Sequence, residues 1–257
     1  MLRIRQTPVA IALGTLCLGS THADTTLNYT DSSRPNGTEV VSITAEGAVF
    51  RADHRAVLYR ADDEALVFID HQNKTFTVMD DARATAVRAN VVASRNQLAA
   101  VALQMLKATD TSDSQREKAK KILEQQGLDE SGNDLPAQRM SLEASGASTV
   151  NERECKLLTV RKGGRAFQKV CVVTPASIAM PPADYAMMIR ATNTMQARVS
   201  RLSATSLNDE VMDMAQLGGV PILFSSLTGS SNKALVSHST APVDPAEMTI
   251  PAGYTQR

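Results

Sequence analysis

Two cysteines set symmetrically about a glycine pair constrain this chain more than any other feature. Cys155 and Cys171 each lie eight residues from Gly163, and the runs 154–161 and 166–173 are strand-like. Between them sits Lys162-Gly163-Gly164-Arg165, a turn signal. A three-residue loop centred on Gly163 would set Cys155 directly opposite Cys171, at a Cα separation of ~4.5–5.5 Å that a disulfide tolerates. A two-residue Gly163-Gly164 turn is the commoner hairpin connection and would set Cys155 opposite Val172 instead. The bridge favours the longer loop. A redox dithiol would more naturally be a close Cys-x-x-Cys pair, and the chain has none, so the pair is read as structural.

A disulfide implies an oxidising compartment, and the N-terminus agrees. Arg3 and Arg5 precede an apolar run over 9–18, which ends in Gly19-Ser20-Thr21-His22-Ala23. A basic start, about ten apolar residues and small side chains before the cut form the pattern of a secretory signal peptide. Cleavage is expected between Ala23 and Asp24, and the run is shorter than the ~20 residues a membrane span needs. Cys17, the third cysteine, follows Leu16 where a lipoprotein signal needs a small residue, and is expected to leave with the leader. The remaining 24–257 is expected to be one periplasmic domain, with no later transmembrane segment. The whole chain has 27 Lys+Arg and 27 Asp+Glu, so loss of Arg3 and Arg5 leaves a net charge of −2. That argues against a nucleic-acid partner, which demands a basic face.

The first part of the mature chain reads as a meander. Short β-branched or aromatic runs at 26–30, 40–44, 47–52, 56–60, 65–69 and 75–79 are separated by Asp, Asn, Gly and His. The character changes at Asp80-Asp81. Residues 82–108 contain no Pro or Gly, and Val87, Val91, Leu98, Val101, Leu103, Met105 and Leu106 recur at roughly helical spacing. A second, solvated helix is expected over 115–126, stopped by Gly127, so that about 80–127 forms a helical insertion. Strands return at 138–144 and in the cysteine hairpin. Pro181-Pro182 precedes a third helix over 183–204, with a stripe of Tyr185, Met188, Ile189, Met195, Val199 and Leu202. A last hairpin over 220–224 and 234–238 precedes a Pro-marked tail. The order predicts an α+β fold on a large antiparallel sheet.

Catalytic motifs are absent: no HExxH, P-loop, Rossmann glycines or Gly-x-Ser-x-Gly elbow. His54, His71 and His238 sit beside turn-like or strand-end polar sequence, and exposed or locally bonded histidines are the expectation. Ser230-Ser231-Asn232-Lys233 fits Ser-x-x-Lys without its companion motifs, and Asp62-Asp63-Glu64 reads as a hairpin tip rather than a cation site. No catalytic residue, metal ligand or cofactor is assigned. The helices remain. A curved sheet with helices over its concave face can hold a hydrophobic ligand between the layers, and flexible methionines suit varied apolar shapes. Leu98, Val101, Met105, Tyr185, Met188 and Met195 are the candidate lining. The same stripe would serve ordinary core packing.

Several segments also carry a family likeness. They are Gly47-Ala48-Val49-Phe50-Arg51-Ala52-Asp53, Leu66-Val67-Phe68-Ile69-Asp70, Asn73-Lys74-Thr75-Phe76, Gly218-Gly219-Val220-Pro221-Ile222 and Ile250-Pro251-Ala252-Gly253-Tyr254, set around the cysteine hairpin and third helix. In this order the chain resembles an uncharacterised family of Gram-negative periplasmic proteins similar to the lipoprotein carrier LolA. The resemblance covers most of the mature chain, and its motifs are structural. It implies an unclosed, strongly curved antiparallel half-barrel with helices in its concavity. It further implies a partner that is a lipid, an acyl chain or an envelope protein, and the want of a convergent polar site makes a non-enzymatic protein the expectation. The leading expectation is a hydrophobic-ligand binder, and the alternative is an envelope interaction or stress-sensing module. The chain departs from the carriers in its helical insertion and in having no Trp.

Overall fold

Alternation of side chains across short strands builds the first half of the molecule, seen in a computed structural model that describes residues 24–34, 37–199, 202, 212–227, 229 and 231–257. Six strands follow one another: β1 (Thr25–Asp31), β2 (Thr38–Thr44), β3 (Gly47–Ala52), β4 (Arg55–Arg60), β5 (Leu66–Asp70) and β6 (Thr75–Met79). Each pairs antiparallel with the next, as the meander reading expects. Residues 1–23, the expected leader with Cys17, lie outside the described residues, as do Pro35, Asn36 and Ser230.

Two helices follow, α1 (Asp81–Lys107) and α2 (Asp113–Gln125). Asp80 caps α1 by accepting from the Arg83 amide at 2.8 Å. Ser112 and Gln115 close a capping box on α2. The chain then returns to the sheet through β7 (Met140–Val150), β8 (Arg153–Lys162) and β9 (Arg165–Val173), crosses as α3 (Pro182–Val199), and finishes with β10 (Val220–Ser226), β11 (Asn232–Ser239) and the short β12 (Thr255–Gln256). The twelve strands among the described residues form one sheet, ordered β12-β6-β5-β4-β3-β2-β1-β11-β10-β9-β8-β7. It is antiparallel except where β12 runs parallel to β6. The sheet is open, and the α+β expectation of a large curved antiparallel sheet with helical cover holds.

The two meanders join through β1 and β11, residues about two hundred positions apart, which pair from Thr26↔Ser239 to Asp31↔Lys233. The principal core lies between the sheet and α3. It includes Leu27, Tyr29, Ile43, Tyr59, Leu66, Cys171, Ile222, Leu235, Met188 and Ala191. The opposite face of β3–β6 is covered by the tail, where Met248, Ile250 and Tyr254 pack on Val49, Leu58, Val67 and Ile69.

Two details correct the sequence reading. The cysteine hairpin uses the two-residue turn, with Gly163 and Gly164 at φ 56° and 80°, a left-handed conformation that glycine adopts without steric cost. Pairing starts at Lys162↔Arg165, slips by one residue as Phe167 is left unpaired, and continues through Val160↔Gln168 to Leu157↔Cys171. Cys155 therefore lies diagonally from Cys171, on the face it shares with Leu157. The two Cα atoms lie 5.6 Å apart, within reach of a bridge, and the disulfide closes across the diagonal. The second detail is the helical insertion. Only the first turns of α1, at Ala84 and Val87, join the principal core. Beyond them α1 packs on α2 through Ala99, Ala102, Ala119, Leu123 and Leu128. Small residues take this seam because two helices approach closely there, and Arg95 closes it by donating to the Gln126 carbonyl at 2.6 Å.

Candidate functional site

Register across β2–β6 arranges three parallel rows of side chains beneath α3. Directly opposed residues in antiparallel strands share a face. The first row is Ile43, Ala48, Tyr59, Leu66 and Met79, all buried. The second is Val41, Phe50, Val57, Phe68 and Thr77, apolar as far as Phe68 and only half-buried from Phe50 onward. The third is Glu39, Ala52, Arg55, Asp70 and Thr75, carrying the charges. Along the strands the surface thus passes from dry core to apolar wall to charged rim within four residues.

Above the rows α3 presents Asp184, Met188, Ala191 and Met195, spaced to fall on one helical face. The first three are buried, and Asp184 accepts from Thr25 Oγ1 at 2.6 Å. Met195, two turns beyond Met188, stands over the second row. The space between is a cleft of about 590 Å³. Its apolar wall is Phe50, Val57, Phe68 and Met195, and its mouth carries Arg34, Glu39, Arg55, Asp70 and Arg257. Arg198 fixes this end of α3 to the sheet by donating to the Met79 carbonyl at 3.0 Å and to Asp81 at 2.7 Å.

The acids of the mouth are engaged. Glu39 pairs with Lys233 and lies 3.6 Å from Arg34, and Lys233 also rests 4.6 Å from the Tyr29 ring centroid. Burial, with the Glu39 carboxylate adding to it, pushes the Tyr29 phenol far up, and its hydroxyl donates to the Pro221 carbonyl at 2.9 Å. Arg34 binds Asp31 at 2.9 Å. Asp70 accepts from the Asn73 side-chain amide at 2.7 Å and its backbone amide at 3.0 Å, and these bonds hold its carboxyl below the usual range. Arg257 reaches the mouth because the tail pairs with β6. Its amide donates to the Phe76 carbonyl and its own carbonyl accepts from Arg83, both at 2.9 Å.

The six residues nominated from sequence separate into two places. Tyr185, Met188 and Met195 lie on α3 against the principal core, and of these Met195 lines the cleft while Met188 is buried. Leu98, Val101 and Met105 lie in the helical hairpin instead. Leu98 and Val101 are 48% and 52% exposed, while Met105 packs into the α1–α2 seam. The helical period could not reveal this, because the α1 residues turned inward are alanines and Arg95. Phe50, Val57 and Phe68 were missed for a different reason. The neighbouring positions Val49, Leu58 and Val67 are also apolar, since the tail buries the other face, so alternation alone does not separate the two faces.

The His71 amide donates to the His54 carbonyl at 2.8 Å beside the β4–β5 pairing, and His238 stands on β11. His71 Nδ1 lies 2.9 Å from Tyr254 Oη, and His238 Nδ1 lies 3.3 Å from Arg153. Burial, then the Arg153 charge, lowers the His238 imidazole below its ordinary value. Asp63 is tied into its hairpin by Arg60 and the Ala65 amide. Among the described residues no three His, Cys, Asp or Glu side chains cluster as a metal site. Among them, too, no helix is long and apolar enough to cross a membrane.

No protein-family model and no curated protein matches the chain. Among solved structures, an uncharacterized conserved protein from Thermus thermophilus aligns with 92% of this chain and 91% of its own, at 7% identity and a TM-score of 0.42.

Proposed function

We propose that this protein is a non-enzymatic binder of a hydrophobic ligand, seated in the cleft between α3 and β3–β6, and that it works in the periplasm in the manner of the LolA-like proteins it resembles. The observation that carries the reading is the cleft itself. At about 590 Å³ it falls within the ~300–1,000 Å³ of small-molecule sites, and large apolar side chains including Phe50, Val57, Phe68 and Met195 line it. Half-buried aromatic and thioether groups facing open space gain by being covered, at roughly 25 cal/mol per Å² removed from water. The conjunction of signal-peptide pattern and disulfide supports export.

Native mass spectrometry of protein recovered from the periplasm, followed by organic extraction, tests the reading directly. A lipid-sized adduct supports it, and N-terminal sequencing should then begin at Asp24. Met195→Asp should abolish the adduct while the protein stays folded. Met188→Asp, buried in the principal core, should instead unfold it. Adduct retained in a folded Met195→Asp protein sinks this placement of the ligand.

The second reading is an envelope interaction module, favoured by the exposure of Leu98 and Val101 on a hairpin that packs mainly on itself. Replacing both by Lys separates the two: loss of an envelope phenotype with ligand binding intact supports the module.

A further inference from the structure

The mouth of the cleft has unanswered positive charge. Arg55 stands directly across from Asp70 on the adjacent strand, where a carboxylate would ordinarily neutralise it. Asp70 is turned away into the β5–β6 turn, with each of its oxygens held by Asn73. Glu39, the other acid of the mouth, is taken by Lys233. Among the described residues neither the Arg55 nor the Arg257 guanidinium has an ion-pair or hydrogen-bond partner in the protein, and both line the cleft. Thr75 and Thr77 add hydroxyl-bearing side chains on the same wall.

We propose that the cleft takes an amphiphile whose anionic head, a carboxylate or phosphate, is held by Arg55 and Arg257 while its aliphatic chain lies along Phe50, Val57, Phe68 and Met195; this rests on the cleft being a hydrophobic-ligand site. The three-row order has the matching polarity, charged at the rim and apolar within. A guanidinium binds a carboxylate or phosphate through paired N–H donors, a geometry that a neutral or cationic head does not use. Beside an apolar wall such a bond is also less screened than on open surface.

The test is displacement of N-phenyl-1-naphthylamine, a neutral fluorophore for apolar clefts, from the mature protein by twelve-carbon compounds below their micelle concentrations. Dodecanoate and dodecyl phosphate should displace it at about tenfold lower concentration than dodecanol, a ratio equal to roughly 1.4 kcal/mol. Dodecyltrimethylammonium should be weaker than dodecanol. Arg55→Gln with Arg257→Gln should collapse the anion-to-alcohol ratio from about tenfold towards one, with folding checked by circular dichroism. Equal displacement by all four compounds overturns the anionic head and leaves the apolar cleft standing. Failure of the fluorophore and of every chain to bind overturns the cleft reading as well. Inorganic phosphate alone should not compete at the same concentrations, and competition equal to that of dodecyl phosphate would reassign the arginines to a free anion. The head-group comparison needs only the wild-type protein, so an unfolded variant does not rescue the proposal.

Discussion

Reducing the Cys155–Cys171 bridge should cost this fold about 3 kcal/mol. The bond closes a loop of sequence separation 16. The chain-entropy relation for that length removes roughly 10 cal/mol/K from the unfolded ensemble, or about 3 kcal/mol at 25 °C. The folded state should change little, because both sulfurs are buried and a thiol behaves as a small hydrophobe. Cys155→Ser with Cys171→Ser should therefore be worse than reduction, by about 1–3 kcal/mol for each hydroxyl left without a partner. Cys155→Ala with Cys171→Ala should fall between the two. The chain has no Trp, so guanidinium chloride unfolding is best followed by far-ultraviolet circular dichroism, with and without a phosphine reductant. Thiol titration of the oxidised native protein should find no free cysteine after leader cleavage. A loss below about 1 kcal/mol on reduction would refute the loop-entropy argument. Titratable thiols in the oxidised folded protein would refute the bridge.

Three further perturbations probe the core and its edges. The Tyr59 hydroxyl is buried without a hydrogen-bond partner, so Tyr59→Phe should leave stability unchanged or raise it by up to about 1 kcal/mol in the same unfolding assay; a clear loss would mean that the hydroxyl is bonded. A Cβ on Gly47 would lie 2.0 Å from the Tyr59 carbonyl oxygen, so Gly47→Ala should cost more than about 3 kcal/mol or prevent folding; a normal unfolding midpoint would contradict the close strand approach. Desolvation opposes ionisation of Asp31, but hydrogen bonds from Ser33 and the Arg34 charge outweigh it and hold the carboxyl below its ordinary value. Its stabilisation is present above the unfolded pKa of about 3.9 and is lost as pH falls through the lower folded value. Acid titration of Asp31→Asn should show a shallower loss of stability below about pH 4 than the wild type, and identical slopes would dismiss the assignment.

Local physics made much of this molecule legible in one dimension. Strands β3 and β6 occupy the runs read from alternation, α1 begins at the Asp80-Asp81 pair where the pattern changes, and Cys155 does pair with Cys171. Such features depend on neighbours a few residues away, and periodicity, capping and turn chemistry record those neighbours directly. Tertiary structure decided the rest. The pairing of β1 with β11 turns two meanders into one sheet, and no local signal encodes a partner two hundred residues distant. Phe167, skipped in the β8–β9 pairing, shifts the cysteine register, while its carbonyl accepts from the Leu227 amide at 2.8 Å on the β10 side. Apolar residues occur on both faces of β3–β5, and which face walls a cleft depends on where α3 and the tail settle. Leu98 and Val101 carry the right character for a lining yet face solvent, because α2 packs against the alanines beside them. Character belongs to a residue alone, whereas a site is made by what the folded chain sets opposite it.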